Sequence, residues 1–388
     1  MTPPLFAAQK PGVRVLQVLP ALSTGGVERG TLEIAHALID AGHHSIVVSS
    51  GGPLVSQLEA FGAQHIILPV HSKNPWLIWS NAQALRQIIR QQKIDVVHAR
   101  SRAPAWSCYW ACKATARPFI TTFHGKYGHQ NAFKREYNSV MLKGKVTIAV
   151  SHYIADHIAQ TYPSHSAEVE IIQRGIDTRY FDPEQISQER IQSLIAKWGV
   201  SIEGRQTLLI PGRLTRIKGL DAFINAFAQL KDPNCLALII GETKGREAFA
   251  DELQAHIKQL NMAEQIKLVG RCDDMPAAYA LSDIVVAVSS KPESFGRVTC
   301  EAQAMKKLIV ATRHGGTLET IHSEQTEGLC EPGNAGSIAE AIRRVLAIDT
   351  QRKEDIGTLS REHIQQHFSL TKMTTNTLRL YERLIDPT

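Results

Sequence analysis

A chain of 388 residues, 43% hydrophobic and 21% charged, is long enough for two domains of about 150–200 residues, each with its own core. No apolar run reaches the ~18 residues a membrane span needs, and the opening MTPPLFAAQKPG lacks the charged and apolar regions of a signal peptide, so the expected location is the cytoplasm. The formal net charge of +6 is uneven: residues 1–183 hold 18 Lys and Arg against 11 Asp and Glu, and the remainder 25 against 26. That excess suits an anionic partner of the first half alone, such as a phosphorylated glycolipid or an acidic membrane surface, while a solvated basic face explains it equally well. No nucleic-acid partner is expected. The six cysteines are scattered; Cys108 and Cys112 stand one helical turn apart, but no second pair completes a zinc set, so all are read as reduced thiols.

The first half alternates short apolar runs with helical patterns. VRVLQVLP, HSIVVSS, HIILPV, IDVVHAR, FITTFHG and VTIAVS read as strands buried on both faces. Helix patterns cover 27–41, 76–92 and 103–114. After the first strand, Gly25 and Gly26 open a helix whose free amides suit a phosphate. A tight turn with close helix packing accounts for the same glycines. The second apolar strand ends SSGG, without the acid that an NAD site requires. The pattern is punctuated at RGIDTRYFDP, residues 174–183, and the domain boundary is placed at 180/181.

The second half repeats the alternation with TLLIPGR, LALIIGE, IKLVGR, DIVVAVSS, LIVATRH and GLCEP as strands. Helices are expected at 219–231, 246–261, 275–282, 296–306, 334–348 and 370–384. Strand–helix alternation twice over predicts two doubly wound parallel-sheet domains, with ligands outside the carboxyl ends of the strands. In PGRLTRIKG, Arg213 and Lys218 flank the entry to a helix, where two cations oppose the dipole unless an anion lies between them. In PESFGRVTCEAQAM, Glu293 sits in a loop and Glu301 on the helix that follows. Their spacing is too long for a glycosidase pair and suits two ends of one elongated ligand, with the amides of Phe295, Gly296 and Arg297 between them for an anion. A nucleotide sugar has that pattern: hydroxyls at both ends and phosphate in the middle.

These segments together resemble the retaining glycosyltransferases of family four. The carriers are the E-x7-E pattern from Glu293 to Glu301, GGTLE, GRLTRIKG, RGIDTRYFDP, STGGVER and FHGKYG, which follow that family's order over essentially the whole chain. The resemblance implies the α/β GT-B fold: two Rossmann-like domains facing across a cleft, an acceptor domain at 1–180 with a terminal helix at 370–388 crossing back, and a nucleotide-sugar domain at 181–369. It implies that Arg213 and Lys218 grip the donor diphosphate, that Glu301 holds ribose and Glu293 the donor sugar, and that Gly25 and Gly26 approach the phosphates. It further implies that His124 stands beside the transferred sugar, and that backbone near Arg271 and Cys272 reads the base. Asp273 and Asp274 are adjacent rather than spaced as D-x-D, so no metal site and no cofactor are expected, only a UDP- or GDP-linked sugar as co-substrate. Arg297 departs from the small or apolar residue common in relatives.

The activity implied is metal-independent transfer of a hexose, with retained configuration, to a hydroxyl of a glycan or glycolipid, in lipopolysaccharide or other cell-envelope synthesis. An epimerase on the same architecture, or a silent glycan- or nucleotide-binding protein, are the rival readings. Trp76, Trp79, Trp106 and Trp110 lie among basic residues between 70 and 145, which suits peripheral binding to the inner face of an anionic membrane.

Overall fold

The computed structural model describes residues 12–23, 25–127 and 131–385 and divides into two compact units. The opening segment read for a signal peptide (residues 1–11), Thr24 of STGGVER, Gly128 of FHGKYG and the end of the 370–388 segment (residues 386–388) lie outside the described residues.

Residues 1–173 and 373–388 form the first unit. Its strands and helices run β1 (Arg14–Val18), α1 (Gly26–Asp40), β2 (His44–Ser49), α2 (Val55–Ala60), β3 (Gln64–Ile67), α3 (Pro75–Gln91), β4 (Val96–Ala99), α4 (Arg102–Thr115), β5 (Phe119–Phe123), α5 (Ala132–Ser139), β6 (Val146–Ala149), α6 (His152–Thr161) and β7 (Glu168–Ile171). All seven strands are parallel, in the order β3-β2-β1-β4-β5-β6-β7. The apolar runs form the central strands because both faces are covered by helices: β4 and β5 are buried along their whole length.

The second unit, residues 174–372, runs α7 (Gln188–Trp198), β8 (Gln206–Pro211), α8 (Leu220–Leu230), β9 (Cys235–Ile240), α9 (Glu247–Gln259), β10 (Ile266–Gly270), α10 (Met275–Ala280), β11 (Ile284–Ala287), α11 (Arg297–Ala304), β12 (Leu308–Thr312), β13 (Leu329–Cys330), α12 (Ala335–Leu346) and α13 (Thr350–His367). Its six strands are also parallel, in the order β10-β9-β8-β11-β12-β13. None of the helices searched among the described residues is long and apolar enough to cross a membrane.

The division falls at 173/174, earlier than the joint expected at 180/181. Residues 176–182 pack into the second unit: Ile176 pairs with Ser369, Phe181 stacks edge-on against Tyr279, and Arg361 of α13 donates to the carbonyls of Thr178 and Phe181 and pairs with Asp182 at 3.0 Å. The last helix, α14 (Leu370–Ile385), lies in the first unit from Met373 onward. Tyr381, fully buried, meets His98 Nδ1 on β4 at 2.8 Å, and His98 Nε2 meets Thr122 on β5 at 2.7 Å. Burial, and then the charge of Arg100, hold His98 well below the usual imidazole range, so it serves as a neutral bridge rather than a charged group.

Candidate active site

In the second unit the chain leaves β8 toward β9 and β10, then returns to the other side of β8 with β11. The β8/β11 junction is therefore the switch point where an open parallel sheet presents its ligand crevice. The loop after β8 carries Arg213 and a 3-10 turn, Arg216–Lys218, closed by Gly219. Gly219 has φ 71°, and a Cβ there would lie 2.0 Å from the Val288 carbonyl, so only glycine lets this turn press onto the loop after β11. The amide of Ser290 then donates to the Ile217 carbonyl at 2.8 Å.

That contact delivers Lys218 to Glu293. Nζ stands 2.7 Å from Oε1, and Ser289 Oγ donates to the same oxygen at 2.5 Å. Burial alone would push the Glu293 carboxyl up. Lys218, Ser289 and the nearby His314 outweigh it and hold the carboxyl below the usual range. His314, on the loop after β12, is fixed in turn by its Nε2 at 2.9 Å from the Ser289 carbonyl. Arg213 lines the same small cavity as Lys218, Ser289 and Glu293, and it is exposed. No carboxylate pairs with it among the described residues.

The glycine pair after β12 lets that loop cross the Glu293 loop at backbone contact. A Cβ on Gly316 would lie 2.3 Å from the Ser294 carbonyl, and one on Gly296 (φ 93°) would lie 2.8 Å from Thr317 Cα. Gly296 caps α11 without a side chain, which leaves the approach to the first amides of that helix open. Phe295 is buried, and its ring packs edge-on against Phe368 at 5.9 Å; only its backbone belongs to the loop.

Glu301, on α11, belongs to a separate network. Tyr279 donates its hydroxyl to Oε2 at 2.8 Å and Arg297 donates Nε to Oε1 at 2.6 Å. Burial, and then the Glu301 charge, raise the Tyr279 phenol well above its ordinary value and keep it a donor. An ionised carboxylate offers about four acceptor positions, so two remain after these bonds. Arg297 is thus the cation that neutralises Glu301.

Two strands from β8, Arg271 and Cys272 follow β10. Arg271 is exposed and pairs with Asp273 at 2.8 Å; Cys272 is half-buried, and burial pushes its thiol up. Asp274 caps α10 and takes two bonds from Arg190, at 2.9 and 2.7 Å, which hold its carboxyl low. Among the described residues, no three His, Cys, Asp or Glu side chains are placed to hold a metal ion.

In the first unit, Gly25 is the extended cap of α1, with no side-chain hydrogen bond. The Glu28 carboxylate already faces this helix entrance: a Cβ on Gly25 would lie 2.2 Å from it. Gly26 is the first residue of α1. His124 follows β5 and is half-buried. Its backbone is hydrogen-bonded by Tyr127, whose ring stacks near Phe123 at 4.3 Å beneath the Arg102 guanidinium at 4.0 Å. Gly25, Gly26 and His124 therefore stand at strand carboxyl ends of one unit, and Arg213, Lys218, Arg271, Cys272, Glu293, Phe295, Gly296 and Glu301 in or just after such loops of the other. Sequence reasoning missed Ser289, His314 and Tyr279, each tied to the site by a contact between separate elements.

Residues 24–180 match the family described as Glycosyltransferase Family 4, and residues 194–363 match Glycosyl transferases group 1. A solved glycosyltransferase from Rickettsia africae ESF-5 is 38% identical, covers 97% of this chain and 100% of its own, and superposes with a TM-score of 0.91. Anabaena Alr3699/HepE, solved with UDP-glucose, is 21% identical over 95% of this chain and 99% of its own, with a TM-score of 0.82. The lipopolysaccharide core biosynthesis mannosyltransferase LpcC of Rhizobium leguminosarum bv. viciae is 25% identical over 55% of this chain and 60% of its own.

Proposed function

Since this chain belongs to the glycosyltransferases of family four, with the two Rossmann-like domains of the GT-B fold, we propose that it moves a hexose from a UDP- or GDP-linked donor to a hydroxyl of a glycan or glycolipid of the cell envelope. The observation that carries the donor assignment is the Lys218–Glu293 pair at the β8/β11 switch point, with exposed Arg213 beside it. At rest each charge of the pair neutralises the other. A diphosphate takes Lys218 and Arg213, and Glu293 turns to the sugar hydroxyls. The two remaining acceptor positions of Glu301 receive the ribose diol. Gly25 and Gly26 approach the phosphates, His124 contacts the transferred sugar, and the backbone at Arg271 and Cys272 reads the base.

The chemistry is retaining and needs no resident metal or cofactor. The bond from the anomeric carbon to the diphosphate oxygen breaks, and a bond to the acceptor oxygen forms on the same face. The acceptor proton passes to the departing phosphate. Arg213, Lys218 and the amides that open α11 lower the barrier by stabilising that leaving group. The acceptor is presented from an anionic membrane: Trp76 (81% exposed), Trp79 (58%) and Phe133 (89%) stand on the outer surface of the first unit among its excess basic residues.

The test is a panel of UDP- and GDP-sugars, first by thermal shift and then by transfer to a lipid-linked glycan, with the product anomer read by proton NMR. Stabilisation by one nucleoside diphosphate and its sugar, with a retained anomer in the product, is expected. An interconverted but unreleased donor sugar would replace transfer by epimerisation.

A further inference from the structure

Helices α3 and α4 end side by side, and their last turns border an open concavity of ≈ 470 Å³. Arg90 and Lys93 line it from the end of α3, and Lys113 and Arg117 from the end of α4. All four are exposed. The one acid paired there among the described residues is Asp95, 4.0 Å from Arg117. Arg14 adds a further cation at this end of the sheet, its Nε bound to the Gln92 carbonyl at 2.6 Å.

Basic residues at helix carboxyl ends are ordinary, because each end carries about half a negative charge. Here the balance overshoots. Two helix ends supply about one negative charge and Asp95 one more, against four lining cations, so about two positive charges are left over. Four like charges converging on one concavity repel one another, and an anion placed among them removes that repulsion.

We propose that this concavity is a phosphate-binding pocket, separate from the transfer site, that takes a phosphate ester through Arg90, Lys93, Lys113 and Arg117. Arginine forks and lysine point charges are the donors that phosphate oxygens favour. The volume falls within the range of about 300–1,000 Å³ typical of small-ligand sites, so it holds the phosphate together with part of the group it esterifies. The pocket lies where α3 runs into β4 and α4 into β5, at the amino end of the sheet, whereas Gly25 and His124 follow the carboxyl ends of β1 and β5. Filling it therefore does not compete with donor chemistry. A lipid headgroup and a soluble phosphate ester share this chemistry. Trp110, 43% exposed and one turn before Ala114 of the pocket lining, places an amphipathic ring near the rim in either case.

The experiment uses the full chain, the double variant Arg90→Glu/Lys113→Glu, and a control with the same change in net charge, Lys258→Glu/Lys372→Glu. Binding of inorganic phosphate and glycerol 3-phosphate is measured by calorimetry. Binding to phosphatidylcholine vesicles with and without phosphatidic acid is measured by sedimentation at low and high salt. The parent and control proteins are expected to bind at low salt, and the double variant at least 10-fold more weakly. Binding confined to glycerol 3-phosphate supports the pocket and makes its source a soluble ester; binding to the phosphatidic acid vesicles supports it and makes the source a headgroup. Equal binding by parent and double variant, equal loss in the control, or no binding of any probe by the parent overturns the proposal. Transfer to a soluble acceptor is expected to be the same in all three proteins. Absence of transfer in the parent would count against the proposed activity and leave the pocket result standing.

Discussion

Lys218 and Glu293 neutralise each other at 2.7 Å, so a ligand that recruits one must also accommodate the other. Lys218→Ala and Arg213→Ala are each expected to lower turnover about 10²-fold, because on the proposed reading each removes a charge that stabilises the leaving group. Their effects on stability should differ. Lys218→Ala leaves Glu293 partly buried with the Ser289 hydroxyl as its remaining side-chain donor and should cost about 1–3 kcal/mol, whereas Arg213 has no carboxylate partner among the described residues and its loss should leave the melting temperature unchanged. Parallel kcat and melting measurements check both; near-normal turnover in the two variants would remove the diphosphate assignment. Tyr279→Phe deletes one of the two bonds that fix Glu301. It is expected to weaken UDP binding about 10-fold and to erase the preference for UDP over 2′-deoxy-UDP, as read by calorimetry; an unchanged preference would separate Glu301 from the ribose. Lys218 and Glu293 were legible because charged residues stand out in strand-end loops, and Glu301, on α11, because of its spacing from Glu293. Tyr279, in the run AAYALS, reads as one more core aromatic, and its hydroxyl acquires a purpose only when α10 and α11 pack together.

Elements were legible where burial on both faces makes a strand continuously apolar, as in CLALII of β9, fully buried. They were missed where the signal is diluted. Strand β7 has the sequence EVEI at the sheet edge, with one exposed and three half-buried residues, and α13 carries charges around a narrow stripe of Ile356, Gly357, Ser360 and Ile364. Helix α13 also holds His363, whose ring lies 5.3 Å from His322, 5.0 Å from His367 and 5.4 Å from Phe368, and whose buried Nε2 has no hydrogen-bond partner among the described residues. Burial, then His367 and His322, lower its pKa to about 4. An unfolded histidine titrates near 6.5, so the unfolded state takes up the proton first. The contribution of neutral His363 is full above pH ~6.5 and is lost as pH falls toward about 4. A melting temperature that declines between pH 6.5 and 5 is expected, with a shallower slope in His363→Asn; identical slopes would show that other groups set the acid limit.

Across the whole molecule the chain passes between the units twice, and in the second unit the two passages are paired. Ile176 N donates to the Phe368 carbonyl at 2.8 Å and Leu370 N to the Ile176 carbonyl at 2.9 Å. The second unit is thus one uninterrupted stretch of chain whose ends meet, with its own core and its own sheet. Residues 174–372 alone are expected to fold cooperatively and to be stabilised by the same nucleoside diphosphate as the full chain. Circular dichroism and thermal shift check this, and a fragment that folds but ignores every nucleotide would move donor binding out of this unit.

The first unit has the opposite history. Its seven strands are made early, but Tyr381, the partner of His98, comes from the last helix, after roughly 200 residues of the other unit have been synthesised. At about 5–20 residues per second, that interval is on the order of 10–40 seconds. Throughout it the nascent sheet lacks the helix that covers β4, so His98 and Thr122 face water or a chaperone instead of Tyr381. A chain released before Met373 would carry a finished second unit beside a first-unit sheet that lacks the helix bearing Tyr381.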